Sequence, residues 1–186
     1  MRKTLFFKPL FSTLAILILL VSTSAFSLEN TKTEEAGDDI QKLIIFASLG
    51  SSIFHEKGNE GTYQFLKAFV TSQVLVHELK ELTDKTRPNG KCCNSFPSGH
   101  ASASFTSAAF IHDRYGWEYA IPAYIASSYV SYSRVYADKH FVKDVLAGAV
   151  VGLLSGFYFT DKYENVKIIP TIKDKQVGIY FSMTFD

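Results

Sequence analysis

Charge of one sign, cysteine, arginine and long apolar runs are all scarce in this 186-residue chain. Nineteen Lys and Arg against 18 Asp and Glu leave a net charge of +1. A nucleic-acid binder would show a basic excess on one face, and that class is excluded. The two cysteines, Cys92 and Cys93, are adjacent. A disulfide-rich scaffold and a CxxC metal site are therefore both absent. No apolar stretch reaches 18 uninterrupted residues, so none reads directly as a membrane-crossing helix. No internal repeat or low-complexity run stands out. What is present is a hydrophobic fraction of 47%, enough to exclude bulk disorder and to build one core, in a length too short for two ordinary domains.

Residues 1–27 carry Arg2, Lys3 and Lys8 and no acid, then the apolar run Pro9–Val21, then the small, polar stretch Ser22–Ser27. This order predicts a secretory signal peptide cleaved near Leu28. The run has 13 residues, against roughly 20 for a spanning helix; an uncleaved anchor is the other reading. Either places the protein in the periplasm or cell envelope. Removing the segment leaves 16 bases against 18 acids, a net of −2. Export exposes the two cysteines to an oxidising compartment, where a vicinal disulfide, an intermolecular bond and two plain loop thiols all stay open.

Residues 28–38 are polar and acidic and read as a linker. Residues 39–161 read as an all-α helical domain. Ile40, Leu43, Ile44 and Ala47 fall at helical spacing, Gly58–Gly61 breaks that helix, and a second runs from about Thr62 to Asp84. Arg87-Pro88-Asn89-Gly90 ends it. Helices are expected over Ser98–Asp113, Trp117–Tyr136 and Asp144–Thr160. The last is apolar, carries glycines suited to close packing, and is expected to be the buried helix of a soluble bundle; a thin or re-entrant membrane insertion is the other possibility. In residues 162–186 the period changes to two, with Val177, Ile179, Phe181 and Met183 alternating with polar or small residues, and a short C-terminal β-hairpin turning at Asp174-Lys175 is predicted.

Three motifs concentrate chemistry. In Lys80-x6-Arg87-Pro88 the spacing is nearly two helical turns, which predicts two cations on one face, a solvated edge unless an anion lies before them. In Phe96-Pro97-Ser98-Gly99-His100, serine at an N-cap and glycine after it leave backbone N–H groups free at a helix N-terminus, an anion cradle with His100 beside it. In Ser133-Arg134-x5-His140-x3-Asp144, the i,i+4 spacing predicts the Asp144 carboxylate beside the His140 ring, fixing its tautomer and freeing the other nitrogen as nucleophile or base. A metal site fails on ligand count. Beyond residue 27 the chain has only Arg87, Arg114 and Arg134. Two of these three lie in the motifs, and arginine suits bidentate phosphate contact. The inventory fits metal-free phosphoryl transfer through a histidine.

The order K-x6-RP, PSGH, SR-x5-H-x3-D resembles the type 2 phosphatidic acid phosphatase and vanadium haloperoxidase superfamily over Lys80–Asp144. Tyr115-Gly116-Trp117-Glu118-Tyr119 and Tyr136-Ala137-Asp138-Lys139-His140 also look like its exported bacterial phosphatases. The resemblance implies a helical bundle with the site at one end and no cofactor. It implies that His140 attacks phosphorus, that Asp144 holds its ring, and that His100 protonates the leaving oxygen and later activates water. Lys80, Arg87, Ser98, Gly99 and Arg134 would bind the phosphoryl oxygens.

The expected activity is hydrolysis of phosphomonoesters or lipid phosphates (phosphatidate-like esters or lipid diphosphates), at or near a membrane surface. A haloperoxidase using vanadate, and a non-catalytic envelope protein on the same scaffold, are the alternatives. The intact Lys80, Arg87, His100, Arg134, His140 and Asp144 argue against the second.

Overall fold

A computed structural model describes residues 30–91, 93–163, 166–173 and 176–183. The expected signal peptide, Cys92 and the turn at Asp174-Lys175 lie outside the described residues. Five helices follow in order: α1 (Asn30–His55), α2 (Glu60–Thr83), α3 (Gly99–Tyr115), α4 (Trp117–Tyr136) and α5 (Val142–Phe159). Beyond them β1 (Val166–Lys173) and β2 (Gln176–Met183) pair antiparallel, with Val166 opposite Met183 and Ile172 opposite Val177.

Helix boundaries follow local chemistry. Gly58 (φ +103°) and Gly116 (φ +94°) adopt left-handed backbone between α1 and α2 and between α3 and α4, where a side chain would be strained. Asp84 closes α2 in the left-handed region, its N–H donating to the Lys80 carbonyl. Ser98 caps α3.

Residues 30–38, expected as part of a linker, are helical. From Asn30 they are the first turns of α1, because tertiary contacts hold what composition alone would leave extended. Thr33 is buried, and Gly37 lies so close to α4 that a Cβ there would collide with Ser133 Oγ.

The core gathers Ile40 and Ile44 of α1, Phe65 of α2, Phe110 and Ile111 of α3 and Val130 of α4. Helix α3 is the central rod, and its buried Ala and Ser side chains let its neighbours approach closely. Helix α5 packs on it through Gly148, Gly152 and Gly156, whose missing side chains make room for the backbone of Ser98, Ser102 and Thr106. The expectation of a fully buried α5 is corrected here. Only the glycine face is inside, while Leu146, Val150 and Leu154 stand 61%, 54% and 67% exposed. These three residues form an outward apolar stripe at i,i+4 spacing on a helix long and apolar enough to cross a membrane.

Arg114, the arginine outside the motifs, has a structural place. It pairs with buried Glu56 (Nη2 to Oε2, 2.6 Å) and donates to the Asp161 carbonyl at 2.8 Å. It thereby ties the end of α1 to the end of α3 and to the chain leaving α5.

Candidate active site

The site forms where the end of α2, the start of α3, the end of α4 and the loop before α5 converge. It is a cavity of about 320 Å³. Lys80, Arg87, Arg134 and His140 line it together with Gly99 and His100 of the α3 N-terminus. Six of the eight motif positions singled out above thus share one cavity; Ser98 and Asp144 do not line it.

Lys80 and Arg87 converge by a route other than the expected one. Helix α2 ends at Thr83, so seven-residue helical spacing does not apply to Arg87. A turn brings it back instead, with the Gly90 N–H donating to the Arg87 carbonyl at 3.0 Å. The buried Arg87 Nε has no hydrogen-bond partner among the described residues. Lys80 Nζ donates to the Asn94 carbonyl.

At the α3 N-terminus, Gly99 and His100 supply first-turn N–H groups that have no helical carbonyl to meet. Ser98 is the expected N-cap. Its hydroxyl is fully buried and accepts from Ala101 N, and its own N–H donates to the Asp144 carbonyl at 2.8 Å. Through these contacts it shapes the cradle.

The largest correction concerns Asp144. His140 lies ahead of α5, which starts at Val142, and the i,i+4 argument holds only within a helix. The His140 ring meets the Ser95 carbonyl instead, Nδ1 to O at 2.7 Å. A carbonyl oxygen only accepts, so Nδ1 carries the proton and Nε2 is left with its lone pair. Fully buried Asp144 takes the third position of α5. Oδ2 accepts from the Phe141 N–H at 3.0 Å and from Ser95 Oγ at 2.6 Å, and Oδ1 pairs with Lys85. Ser95 links the two, holding the histidine with its backbone and the carboxylate with its side chain. Burial, reinforced by Lys80 and Arg87, pushes the His140 pKa down to about 4.

One wall was not foreseen. Glu34 and Asp38, one turn apart on α1, line the cavity with Lys139. Asp38 Oδ1 lies 2.9 Å from Arg134 Nη1 and 3.0 Å from His100 Nε2. Glu34 Oε1 lies 2.9 Å from Lys139 Nζ, and its carbonyl accepts from Arg134 Nη2 at 2.6 Å. The four-residue spacing of these two acids was the available signal. Burial and the Arg134 charge lower the His100 pKa, with Asp38 and Glu34 opposing. In the nearby loop, Cys93 is disulfide-bonded.

Compared with known proteins, a family model described as the PAP2 superfamily matches residues 59–167. The lipid A 4'-phosphatase of Helicobacter pylori is 29% identical over 142 residues, 70% of this chain and 71% of that protein. The phosphatidylglycerophosphatase B of Bacillus subtilis is 33% identical over 67% of this chain and 68% of its own length. The lipid A 1-phosphatase of Porphyromonas gingivalis is 31% identical over 62% of this chain, a match spanning only 22% of that longer protein. Among solved structures, Aquifex aeolicus LpxE shares the fold at TM-score 0.55 and 23% identity, over 81% of this chain and 92% of that one. The first transmembrane PAP2 type phosphatidylglycerolphosphate phosphatase from Bacillus subtilis matches at TM-score 0.56 and 26% identity, over 86% and 94%.

Proposed function

The chain belongs to the PAP2 superfamily, and we propose that it is a cell-envelope phosphatase that hydrolyses lipid phosphates through a phosphohistidine at His140. The carrying observation is the His140–Ser95 hydrogen bond. It leaves an unprotonated Nε2 in a cavity walled by Lys80, Arg87 and Arg134.

In the first step His140 Nε2 attacks phosphorus while the P–O bond to the alcohol breaks, and His100 gives its proton to the departing oxygen. In the second, neutral His100 takes a proton from water as the hydroxide oxygen attacks the phosphohistidine. Inorganic phosphate leaves and both histidines return to their starting states. The three cations and the α3 N–H groups hold the equatorial oxygens, where charge spreads in the transition state.

Lipid esters are favoured as substrates by relatives named for lipid A and phosphatidylglycerophosphate and by the apolar exterior. Leu66, Val70 and Val74 on α2 are exposed one turn apart, as are Leu146, Val150 and Leu154 on α5. Such stripes suit contact with lipid and keep a lipid substrate near the cavity. The signal segment 1–27 fits export to the same compartment.

The test is phosphate release from detergent-dispersed lipid phosphate, with and without EDTA. Release insensitive to EDTA, inhibited by vanadate and lowered at least about 10³-fold in His140→Ala supports the reading. Full activity in His140→Ala overturns it.

A further inference from the structure

A carboxylate was expected beside His140 and is found beside the other histidine. We propose that Asp38 is the positioning residue of the acid–base histidine, holding the His100 ring and balancing the charge it gains when it binds a proton. This rests on the phosphatase reading above.

Buried Asp38 Oδ1 lies 3.0 Å from His100 Nε2 and 2.9 Å from Arg134 Nη1, ion-pair contacts that lack hydrogen-bond geometry among the described residues. Two opposite demands meet at His100. It must hold a proton to give to the leaving alcohol, yet Arg134 stands close by and burial also disfavours the charged ring. A carboxylate touching both the ring and the guanidinium answers each of them. During the first step the imidazolium gives its other ring proton to the ester oxygen as the P–O bond breaks. The alcohol leaves neutral, His100 becomes neutral, and Asp38 takes no part in the proton transfer.

The same oxygen could instead be read as a plug, occupying the place of a phosphate oxygen until a substrate displaces it. The packing of α1 decides against a plug. Thr33 and Ile40 on either side of the acids are buried, and the close approach of Gly37 to Ser133 leaves no room for a Cβ. Arg134 also donates to the Glu34 backbone carbonyl. The acids stand on a fixed wall, and a fixed wall positions rather than gates.

Leaving-group dependence separates this role from mere support. A nitrophenolate departs without a proton, whereas an alkoxide needs one. Two detergent-dispersed monoesters serve, one of a long-chain alcohol and one of a long-chain nitrophenol, with the full chain as enzyme. Asp38→Asn is expected to lower kcat/KM, which reports the steps through departure of the alcohol, about 10- to 100-fold on the alkyl ester and under about threefold on the nitrophenyl ester. Asp38→Ser, smaller and also uncharged, is expected to show the same selectivity. In His100→Ala, Asp38→Asn should add no further loss, since the two act as one unit.

Equal losses on both esters, or losses that add to that of His100→Ala, overturn the proposal. So does a gain of activity in Asp38→Asn, the signature of a plug. Wild-type chain inactive on both esters overturns the phosphatase reading and this one with it. Active wild type with an unimpaired Asp38→Asn overturns this one alone.

Discussion

A ring nitrogen attacks phosphorus only while it carries no proton, and at His140 burial and two nearby cations keep Nε2 bare. The folded chain takes up a proton there only near pH 4, whereas the unfolded chain does so near the ordinary value of 6.5. The unfolded state therefore binds more protons between these values, and stability falls as pH drops through that window, by about 3 kcal/mol from this residue alone. Urea unfolding at pH 7 and pH 4.5 should show the fall, and a His140→Asn variant should lack this share of it. Gly99, His100, Arg134 and His140, singled out by short motifs, line one cavity; Lys80 and Arg87 line it too, although the helical spacing that paired them does not hold. Asp144 was placed on the right helix with the wrong partner, since i,i+4 geometry presupposes a helix that starts two residues too late for it. Glu34 and Asp38 were hidden for another reason. Their role depends on α1 docking against α4, a contact between residues about 100 positions apart that no local pattern announces.

Elements are held in place mainly by what they omit. The Gly148, Gly152 and Gly156 face of α5 lets α3 come within backbone distance, so the N-terminus of α3 and the start of α5 can share the site. Gly152→Val forces the Ser102 carbonyl and the Thr106 amide aside. Overpacking of this kind costs about 1–3 kcal/mol, and a thermal melt should show a drop of at least about 3 °C. The break at Gly58 and the cap at Ser98 were readable, since each states its own backbone requirement. The start of α1 was not. An acidic, polar run reads as a linker until Arg134 and Lys139 supply its counter-charges.

At the scale of the whole molecule, polar and apolar surfaces are sorted in a way that summed composition conceals. A net charge of +1 says nothing of the clustering of Lys80, Arg87, Arg134 and Lys139 around one cavity. Ordinary overall hydrophobicity likewise hides the exposed stripe of α5. Val150→Lys with Leu154→Lys is expected to lower co-sedimentation with phospholipid vesicles while leaving folding and the hydrolysis of a detergent-dispersed ester largely intact. Unchanged sedimentation would mean that this face does not meet lipid.

Ser95 joins these scales. One residue orients the His140 imidazole through its carbonyl and anchors the opening turn of α5 through its hydroxyl, by way of Asp144. Alignment of His140 is thus coupled to the seating of α5, and a change that loosens the one is felt by the other.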